Sequence, residues 1–550
     1  MVARIKRVRM DNRIILTGNK GFPWFSAEGR SVRGYLFSAG GALLEGEGLL
    51  QYFGEVKSLP ELREKLAGVS GSFAVVIDLG ETLLLGTDII RSLPLFYGRD
   101  EGGWTVSDRA SAVADTLSLK KLNNMAVSEF CGTGYVTGRE TLLQGLYQVQ
   151  AGELVSLGDQ TAGKFYFSYR VGKVADRSFE ILRREAVQVF EGAFARMVES
   201  LHGRTAVVPL SGGFDSRLIA VMLKRAGYEK VVCFTYGRRG NAEASRSRQV
   251  AEKLGFPWHF IEYTDELVGG FTGSEAFNQY VPCAANYTSM FFMQEYFAVQ
   301  QLKEQQLIPG DAVFIPGHSG DFLGGSQFAK HGFAAEKEAF SMITRRILRI
   351  KYHYERYLGL KARAMGRRIA GSLEEKDTWS RATAYSVHED WDMKEKLAKF
   401  NGNSVTMYSC LGYAFRLPYW DVSLVNFFRD VPVTFKLHKK LYDTVLRENY
   451  FEPAGVVFPD ELLPGPAPAK KVLLKNRVGR LKLQIRRMMP LSWSALFSGK
   501  EDPICYREIT EELRNDMVQR GRRAPRVGNV YNRMIIGWYL DRLEERYRRV

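Results

Sequence analysis

The sequence predicts an α/β protein whose second part is a doubly wound parallel sheet with helical additions, preceded by an α+β part of mostly antiparallel sheet. Residues 1–175 are rich in short β-type runs interrupted by glycine, and helical spacing of apolar residues begins after them. After residue 204, strand-like and helix-like segments alternate, as in parallel sheets with right-handed crossovers. A chain of 550 residues is long enough for two domains, which we place at 1–175 and 176–550.

Five segments after residue 204 give the predicted order strand, helix, strand, helix, strand. They read TAVVPL, SRLIAVMLKRAG, KVVCFTYG, NAEASRSRQVAEKLG and PWHFIEYT. Beyond residue 270 the pattern is mostly helical, with one further predicted strand at 312–317. Sheets of this kind bind their ligands past the carboxyl ends of the strands, so we expect the site at that edge.

The cysteine pattern and the hydropathy exclude several classes of protein. The five cysteines are scattered and include no CxxC pair, which argues against a disulfide framework, structural zinc or a redox pair. We therefore expect a reducing, cytoplasmic setting. No apolar run approaches the roughly 20 residues needed to cross a bilayer, so we expect no membrane span and no signal peptide.

The net charge of +16 suits an anionic partner such as nucleic acid or a phosphorylated substrate. Much of this charge lies in residues 475–489 and 519–526, whose pattern resembles an amphipathic helix with a solvated face. Runs of charge are commoner on solvated surfaces than in dedicated binding sites. We therefore favour a basic surface and do not expect a nucleic-acid partner.

A glycine-rich segment lies between the first predicted strand and its helix, and it consists of Ser211, Gly212, Gly213, Phe214, Asp215 and Ser216. The glycines let backbone N–H groups approach an anion, the helix N-terminus adds partial positive charge, and the serine hydroxyls can donate. Asp215 would repel a phosphate unless a divalent cation lay between them. The segment predicts a pyrophosphate site with Mg²⁺. A simple strand-to-helix turn, with Asp215 capping the helix, is the alternative.

A second glycine-rich segment, residues 315–325, follows the predicted strand at 312–317 and contains Asp321. Its position past a strand end makes Asp321 the natural second ligand of the magnesium ion. The alternative is a solvent-facing Asp in a loop. Leu210, Thr235 and Gly317 complete the predicted ATP site.

These motifs resemble a known family. The SGGxDS pattern is similar to the signature of the ATP-pyrophosphatase superfamily (adenine nucleotide α hydrolase-like), and the second part of the chain resembles the synthetase domain of asparagine synthetases, β-lactam synthetases and lasso-peptide cyclases. Residues 415–421, FRLPYWD, resemble the family's ARVPFLD, and Lys440 stands seven residues before Arg447, as the family's essential lysine stands in K-x₅-L-R.

The first part also resembles this family. GSFAVVID, GTDIIRSLPLFYG and GRETLLQGLYQVQAGELVSL are similar to segments of its glutamine-hydrolysing domain, which is a class II amidotransferase domain of the Ntn-hydrolase type. That activity depends on a cysteine directly after the initiator Met, where this chain has Val2. We expect an amidotransferase-like domain that no longer hydrolyses glutamine.

The resemblance implies a ligase that uses ATP and Mg²⁺. A carboxylate is adenylated with release of pyrophosphate, and an amine then displaces AMP to form an amide. Lys440 is the implied catalytic cation. His318 stands where relatives carry a catalytic Glu or Tyr, so it is a candidate general base. Ala285 stands where an Arg would hold aspartate, which weakens the case for that substrate.

The expected partners are a small-molecule or peptide carboxylate and an amine, and a homodimer is left open. Three alternatives remain at this point. They are an asparagine synthetase using ammonia, a tRNA-modifying adenylating enzyme, and a non-catalytic scaffold. The first two share the SGGxDS pattern, and the third is suggested by the missing glutaminase nucleophile.

Overall fold

The computed structural model describes residues 12–172, 174, 176–329, 340–355, 357, 359–373, 383–461, 502, 504–525 and 531–548. Its first part contains β1 (Arg13–Ile15), β2 (Trp24–Ala27), β3 (Arg30–Phe37), β4 (Leu43–Glu45), α1 (Gly46–Tyr52), α2 (Leu59–Leu66), β5 (Ser70–Asp78), β6 (Leu83–Thr87), β7 (Phe96–Asp100), β8 (Gly103–Ser107), α3 (Ala110–Thr116), α4 (Asn124–Thr133), β9 (Leu146–Gln148), β10 (Glu153–Leu157) and β11 (Thr161–Phe165).

These strands form two sheets. One has four strands in the order β1-β8-β7-β9, and the other runs β11-β10-β6-β5-β3-β2 with β4 paired to β3. Every pairing is antiparallel except that of β1 with β8. Apolar residues of α1 and α2 pack on one face of the larger sheet. The predicted α+β part with mostly antiparallel sheet is confirmed, whereas the domain boundary near residue 175 stays a prediction.

The second part begins with α5 (Phe179–Glu199) and continues with the predicted alternation. It contains β12 (Ala206–Pro209), α6 (Phe214–Arg225), β13 (Val231–Gly237), α7 (Ala242–Leu254), β14 (Trp258–Glu262), α8 (Asp265–Val268), α9 (Glu275–Ala285), α10 (Tyr296–Glu304) and β15 (Val313–Phe314). The strands form one sheet in the order β14-β13-β12-β15-β16, where β16 is Ala414–Phe415, and all four pairings are parallel.

Helices make up most of the remainder. They are α11 (Gly320–Gly324), α12 (Ser326–Ala329), α13 (Phe340–Lys351), α14 (Gly359–Ser372), α15 (Ala384–Trp391), α16 (Thr406–Cys410), α17 (Val422–Asp430), α18 (Val433–Lys436), α19 (Lys440–Leu446), α20 (Tyr506–Gln519) and α21 (Tyr531–Arg548). Short π and 3₁₀ turns occupy Asp392–Asn401, Gly402–Val405, Pro418–Trp420 and Arg447–Phe451. Among the described residues, no helix is long and apolar enough to cross a membrane.

The two parts pack against each other through backbone and side-chain contacts. The chain after α4 runs beside the chain after α9, where the Val136 N–H donates to the Thr288 carbonyl at 2.8 Å and the Met290 N–H donates to the Gly134 carbonyl at 2.8 Å. The buried Arg416 lies 4.0 Å from the Tyr35 ring centroid. One hydrophobic cluster includes residues of both parts, so they share a core.

Although the sequence argues against a disulfide framework, two of the cysteines are paired. Cys283 in α9 and Cys410 in α16 form a disulfide, with Cα atoms 6.4 Å apart. These residues are separated by 127 positions, and the packing of α16 on α9 brings them together. Sequence spacing reveals only local pairs, so this one could not be seen, and the inference of a reducing setting loses its main support.

Two expectations concern residues that the structure does not describe. Val2, on which the loss of glutaminase rests, lies outside the described residues, as does the basic run at 475–489. Most of the other basic run is described: residues up to Gln519 belong to α20, and 520–525 follow it.

Candidate ATP and pyrophosphate site

The loop between β12 and α6 is braced by its own serines. The Ser211 N–H donates to the Ser216 hydroxyl at 3.0 Å, and the Gly213 N–H donates to the Ser211 hydroxyl at 3.2 Å. Among the described residues, no side chain caps the N-terminus of α6, whereas Asn241 caps the neighbouring α7. The first N–H groups of α6 are thus available to an anion.

The second glycine-rich segment, residues 315–325, lies close to the loop between β12 and α6. At two of its glycines an added Cβ atom would be too near this loop. A Cβ atom at Gly317 would lie 2.6 Å from the Ser216 backbone nitrogen, and one at Gly320 would lie 2.7 Å from Cγ of Asp215. The Asp321 N–H donates to Oδ2 of Asp215 at 2.8 Å. The structure therefore brings together Asp215 and Asp321, which are 106 positions apart.

The Asp215 carboxylate has a perturbed acidity. Burial and the nearby charge of Asp321 raise its pKa to about 7, against the opposing effects of Lys439 and of the Tyr442 hydroxyl. That hydroxyl donates to Oδ1 at 2.9 Å, and the Tyr419 hydroxyl donates to the Asp215 carbonyl at 2.6 Å. Two carboxylates that repel each other, beside uncapped N–H groups, form a donor set that fits a hard divalent cation together with a phosphate.

Of the two adjacent lysines, Lys439 is the one whose charge acts on Asp215, and the catalytic role of Lys440 stays a prediction. Lys439 pairs with Asp443 at 2.9 Å, and its charge lowers the pKa of Asp215. Lys440 instead has its Nζ 4.9 Å from the Phe179 ring centroid and 5.7 Å from that of Phe435.

A break in the helical periodicity explains which lysine faces the site. His438 and Lys439 both adopt left-handed backbone conformations, with φ of 57° and 58°, just before α19 begins. Two consecutive left-handed residues are rare outside glycine. The directions of the two lysine side chains could therefore not be predicted from the sequence.

His318 lies in the second loop, partly buried. Its Nδ1 is 3.5 Å from the Ser404 hydroxyl, and burial lowers the pKa of the imidazole to about 4. The ring is therefore neutral near pH 7. Ala285, by contrast, is fully buried at the end of α9, so its side chain is not exposed to a substrate.

A cavity of about 590 Å³ opens at the carboxyl ends of β12 and β13. Its lining includes three residues predicted for the ATP site, Leu210, Ser211 and Thr235, together with Tyr236, Arg238, Asn241, Glu295 and Ile504, among others. The Thr235 hydroxyl donates to the Leu210 carbonyl at 2.7 Å, which fixes this rim. A volume of this size is in the range of small-molecule and cofactor pockets.

A buried arginine that the sequence reasoning missed holds the first loop in place. Arg217 is fully buried and donates to the Gly212 carbonyl at 2.8 Å. It also forms a bidentate salt bridge in which it donates to both carboxylate oxygens of Glu461, at 2.7 and 2.8 Å. The rings of Phe451 and Phe458 lie 5.0 and 4.9 Å from its guanidinium carbon. Its position directly after the SGGFDS segment was the one available signal.

A second polar site, in the first part of the chain, is nearly filled by its own side chains. Asp108 accepts from the Thr17 and Gly18 N–H groups, both at 2.9 Å, and from the Trp24 indole at 3.0 Å. It also pairs with the buried Arg33 at 2.8 Å. The adjoining cavity measures only about 40 Å³.

Comparison with known proteins agrees with this geometry. Residues 189–463, half of the chain, match the asparagine synthase family. The chain therefore belongs to the asparagine synthase family.

Individual relatives match shorter stretches. The carboxyethyl-arginine beta-lactam-synthase of Streptomyces clavuligerus is 29% identical over 190 residues, covering 34% of each protein. The tRNA-specific 2-thiouridylase MnmA of Beijerinckia indica is 30% identical over 124 residues, covering 20% of this chain and 29% of that protein. The chain thus spans about a third of the length of these curated relatives.

Among solved structures, the NH3-dependent NAD synthetase of Campylobacter jejuni is 13% identical, with a TM-score of 0.21. The match covers 40% of this chain and 96% of that one. A likeness at this TM-score carries no argument about function.

Proposed function

We propose that this chain is an ATP-dependent, amide-forming ligase that adenylates a carboxylate, releases pyrophosphate and transfers the acyl group to an amine. The observation that carries the proposal is the meeting of Asp215 and Asp321 at the mouth of the serine-braced loop, beside a cavity of about 590 Å³. In the family to which the chain belongs, the named beta-lactam-synthase relative supports an amide-forming reaction.

In the first step, a carboxylate oxygen of the acid attacks the α-phosphorus of ATP, and the bond to the bridging oxygen breaks. The uncapped N–H groups at the start of α6 hold the departing pyrophosphate. Asp215 and Asp321 would hold Mg²⁺, which supplies positive charge against the phosphate oxygens when bound. Lys439 adds a further cation on the same side, and Asp443 fixes its position.

In the second step, the amine nitrogen attacks the acyl carbon and AMP leaves. The nitrogen must lose a proton as the new bond forms. His318 is neutral near pH 7 because burial lowers the pKa of its imidazole to about 4, and a neutral ring nitrogen can accept that proton. Replacing His318 with Ala should slow turnover by about 10²–10⁴ while ATP affinity is kept.

We also propose that the first part of the chain supplies no ammonia from glutamine. This rests on Val2 in place of the family's cysteine. The amine is then free ammonia, a second substrate or a group on the same molecule. Release of glutamate from glutamine by the purified protein, above the rate in buffer, would refute this part.

The decisive experiment is a screen of carboxylic acids and amines, including aspartate with ammonium, for formation of AMP and pyrophosphate from Mg-ATP. We expect at least one acid to give AMP and pyrophosphate, and Asp321→Asn to abolish this. Asp311→Asn is the matched control, because Asp311 is an exposed acid in the turn before β15. Release of ADP and phosphate instead would contradict the proposal.

A tRNA-modifying adenylating enzyme is a second candidate, supported by the similarity to the 2-thiouridylase and by the net charge of +16. It predicts AMP release that depends on added tRNA and binding that weakens steeply with salt. Our main proposal predicts neither. The two are separated by repeating the AMP assay with bulk tRNA at low and high salt.

A further inference from the structure

The cavity beside the pyrophosphate loop has a buried acid in its wall that the proposed reaction does not yet use. Glu295, just before α10, is 8% exposed and lines this cavity. Its carboxylate accepts hydrogen bonds from the hydroxyls of Tyr408 and Tyr236. Within the described part of the chain, no Lys, Arg or His forms an ion pair with it.

A buried carboxylate without a cation is costly, because desolvation disfavours its charged form. Burial accordingly raises the pKa of Glu295 to about 7. Where an acid pairs with a buried arginine, as Glu461 does with Arg217, a charge within the fold offsets the desolvation of the carboxylate. Glu295 has no such partner among the described residues. Because it lines a cavity, we infer that a cationic group of a ligand takes this place.

Glu295 is connected to His318 through the segment that carries Ser404 and Tyr408. Tyr408, which donates to Glu295, is one helical turn after Ser404, whose hydroxyl is 3.5 Å from Nδ1 of His318. The Tyr408 ring also stacks on Phe314 of β15, at 4.5 Å between centroids, and β15 leads directly into the loop that carries His318. The acid and the imidazole are therefore linked through one short helical segment.

The two ends of the cavity differ in the charge they accept. At the Ser211 end, the uncapped N–H groups of α6 favour an anion. At the Glu295 end, a carboxylate would repel phosphate or carboxylate groups and attract a cation, and the ring of Tyr236, which also lines the cavity, favours positive charge. The ligand that suits both ends is anionic at one and cationic at the other.

We propose that Glu295 binds a positively charged alkylammonium group of the amine-bearing substrate, next to the activated acyl group. The inference rests on the proposed ligase function and names the class of its second substrate. Glu295 would hold the ammonium and accept its first proton, which frees the amine to attack the acyl carbon, and His318 would accept the second proton as the amide forms. The Tyr408 hydroxyl would orient the Glu295 carboxylate.

The test uses the full chain with Mg²⁺ and α,β-methylene-ATP, titrated calorimetrically with methylammonium, putrescine and agmatine. Methanol and 1,4-butanediol serve as neutral counterparts of the first two. We expect the ammonium compounds to bind at least about tenfold more tightly than their neutral counterparts, which is ~1.4 kcal/mol. Glu295→Gln should remove this preference and leave the affinity for α,β-methylene-ATP unchanged. Tyr408→Phe should reduce the preference in part.

Glu304→Gln is the matched control, because Glu304 is an exposed acid at the far end of α10. It should keep the preference. The inference is overturned if the wild-type chain shows no preference for ammonium compounds, if Glu295→Gln retains it, or if Glu295→Gln weakens nucleotide binding instead, as a contact to the adenine base would require. Failure of the wild-type chain to bind α,β-methylene-ATP would instead defeat the proposed function, and this inference with it.

Discussion

Two polar sites of this protein have opposite designs. Around Asp108, in the first part, an aspartate is paired with Arg33 and surrounded by donors, and about 40 Å³ of space remains. Around Asp215, in the second part, the carboxylate accepts from the Asp321 N–H and is repelled by the Asp321 charge, beside uncapped N–H groups and a cavity of about 590 Å³. The first site satisfies its charges internally, and the second leaves charges for a ligand to satisfy.

The acidities of the two carboxylates express the same difference. Burial would raise the pKa of Asp108, but the charge of Arg33 and several hydrogen bonds outweigh it, so the pKa is lowered. At Asp215, burial and the charge of Asp321 both raise the pKa, to about 7. A lowered pKa means that the ionised carboxylate stabilises the fold, whereas a raised pKa means that the ionised form is disfavoured in the fold.

The largest expected effect is on turnover after Asp215→Asn. The change removes a charge that would hold Mg²⁺, and losing several kcal/mol of transition-state stabilisation slows AMP release by about 10³ or more. Thermal stability should be unchanged or higher, because the repulsion with Asp321 disappears. A marked drop in melting temperature would show that Asp215 is a structural residue. It would contradict the stated difference between the Asp108 and Asp215 sites.

Asp108→Asn should have the opposite outcome. It leaves Arg33 buried without its partner, which costs about 3–5 kcal/mol in the free energy of unfolding. The affinity for Mg-ATP of the folded protein should not change. Denaturant unfolding and nucleotide titration of the same variant check both statements, and normal stability would mean that the pair contributes little.

A smaller effect is expected for Arg217→Lys. A lysine keeps the charge but cannot hold Glu461 at two points and the Gly212 carbonyl together. Losing one such charged hydrogen bond, ~1.5–3 kcal/mol, should weaken pyrophosphate and ATP binding by about tenfold or more. AMP binding should be unaffected, because AMP lacks the two phosphates that we propose the loop holds.

The control for this prediction is Arg225→Lys. Arg225 is on the same helix, α6, and pairs at the surface with Glu191 at 2.8 Å. It should leave all three affinities unchanged. Equal losses for pyrophosphate and AMP in Arg217→Lys would indicate a general destabilisation of the site and not a positioned loop.

A further prediction concerns pH and His318. Its pKa is lowered in the fold to about 4 from the ordinary 6.5, so between these values the unfolded chain binds more protons. The wild-type free energy of unfolding should therefore contain a component that is lost as pH falls from 6.5 to 4. His318→Gln should remove this component, and parallel pH profiles for the two proteins would contradict the burial of this ring.

Much of the second part could be predicted from the sequence, because its signals are local. The alternation of β12, α6, β13, α7 and β14 follows from short apolar runs and helical spacing, and all five elements are found. The meeting of Asp215 and Asp321 follows from the rule that parallel strands present their carboxyl ends at one edge.

What could not be predicted depends on contacts between distant segments. The strand β16 has two residues, too few for a periodic signal, and the Cys283–Cys410 disulfide depends on how α16 packs on α9. Which of Lys439 and Lys440 acts on Asp215 depends on two left-handed residues before α19. Arg217 and Glu295 look like ordinary charged residues until their burial is known.

The central claim is that the loop at Ser211 with Asp215 and Asp321 is a magnesium-dependent pyrophosphate site. Calorimetric titration of the wild-type chain with inorganic pyrophosphate, with and without Mg²⁺, tests it most directly. We predict binding that requires Mg²⁺, is displaced by ATP, and is lost in Asp215→Asn. Binding that is equally strong without Mg²⁺, or that survives in Asp215→Asn, would contradict the account.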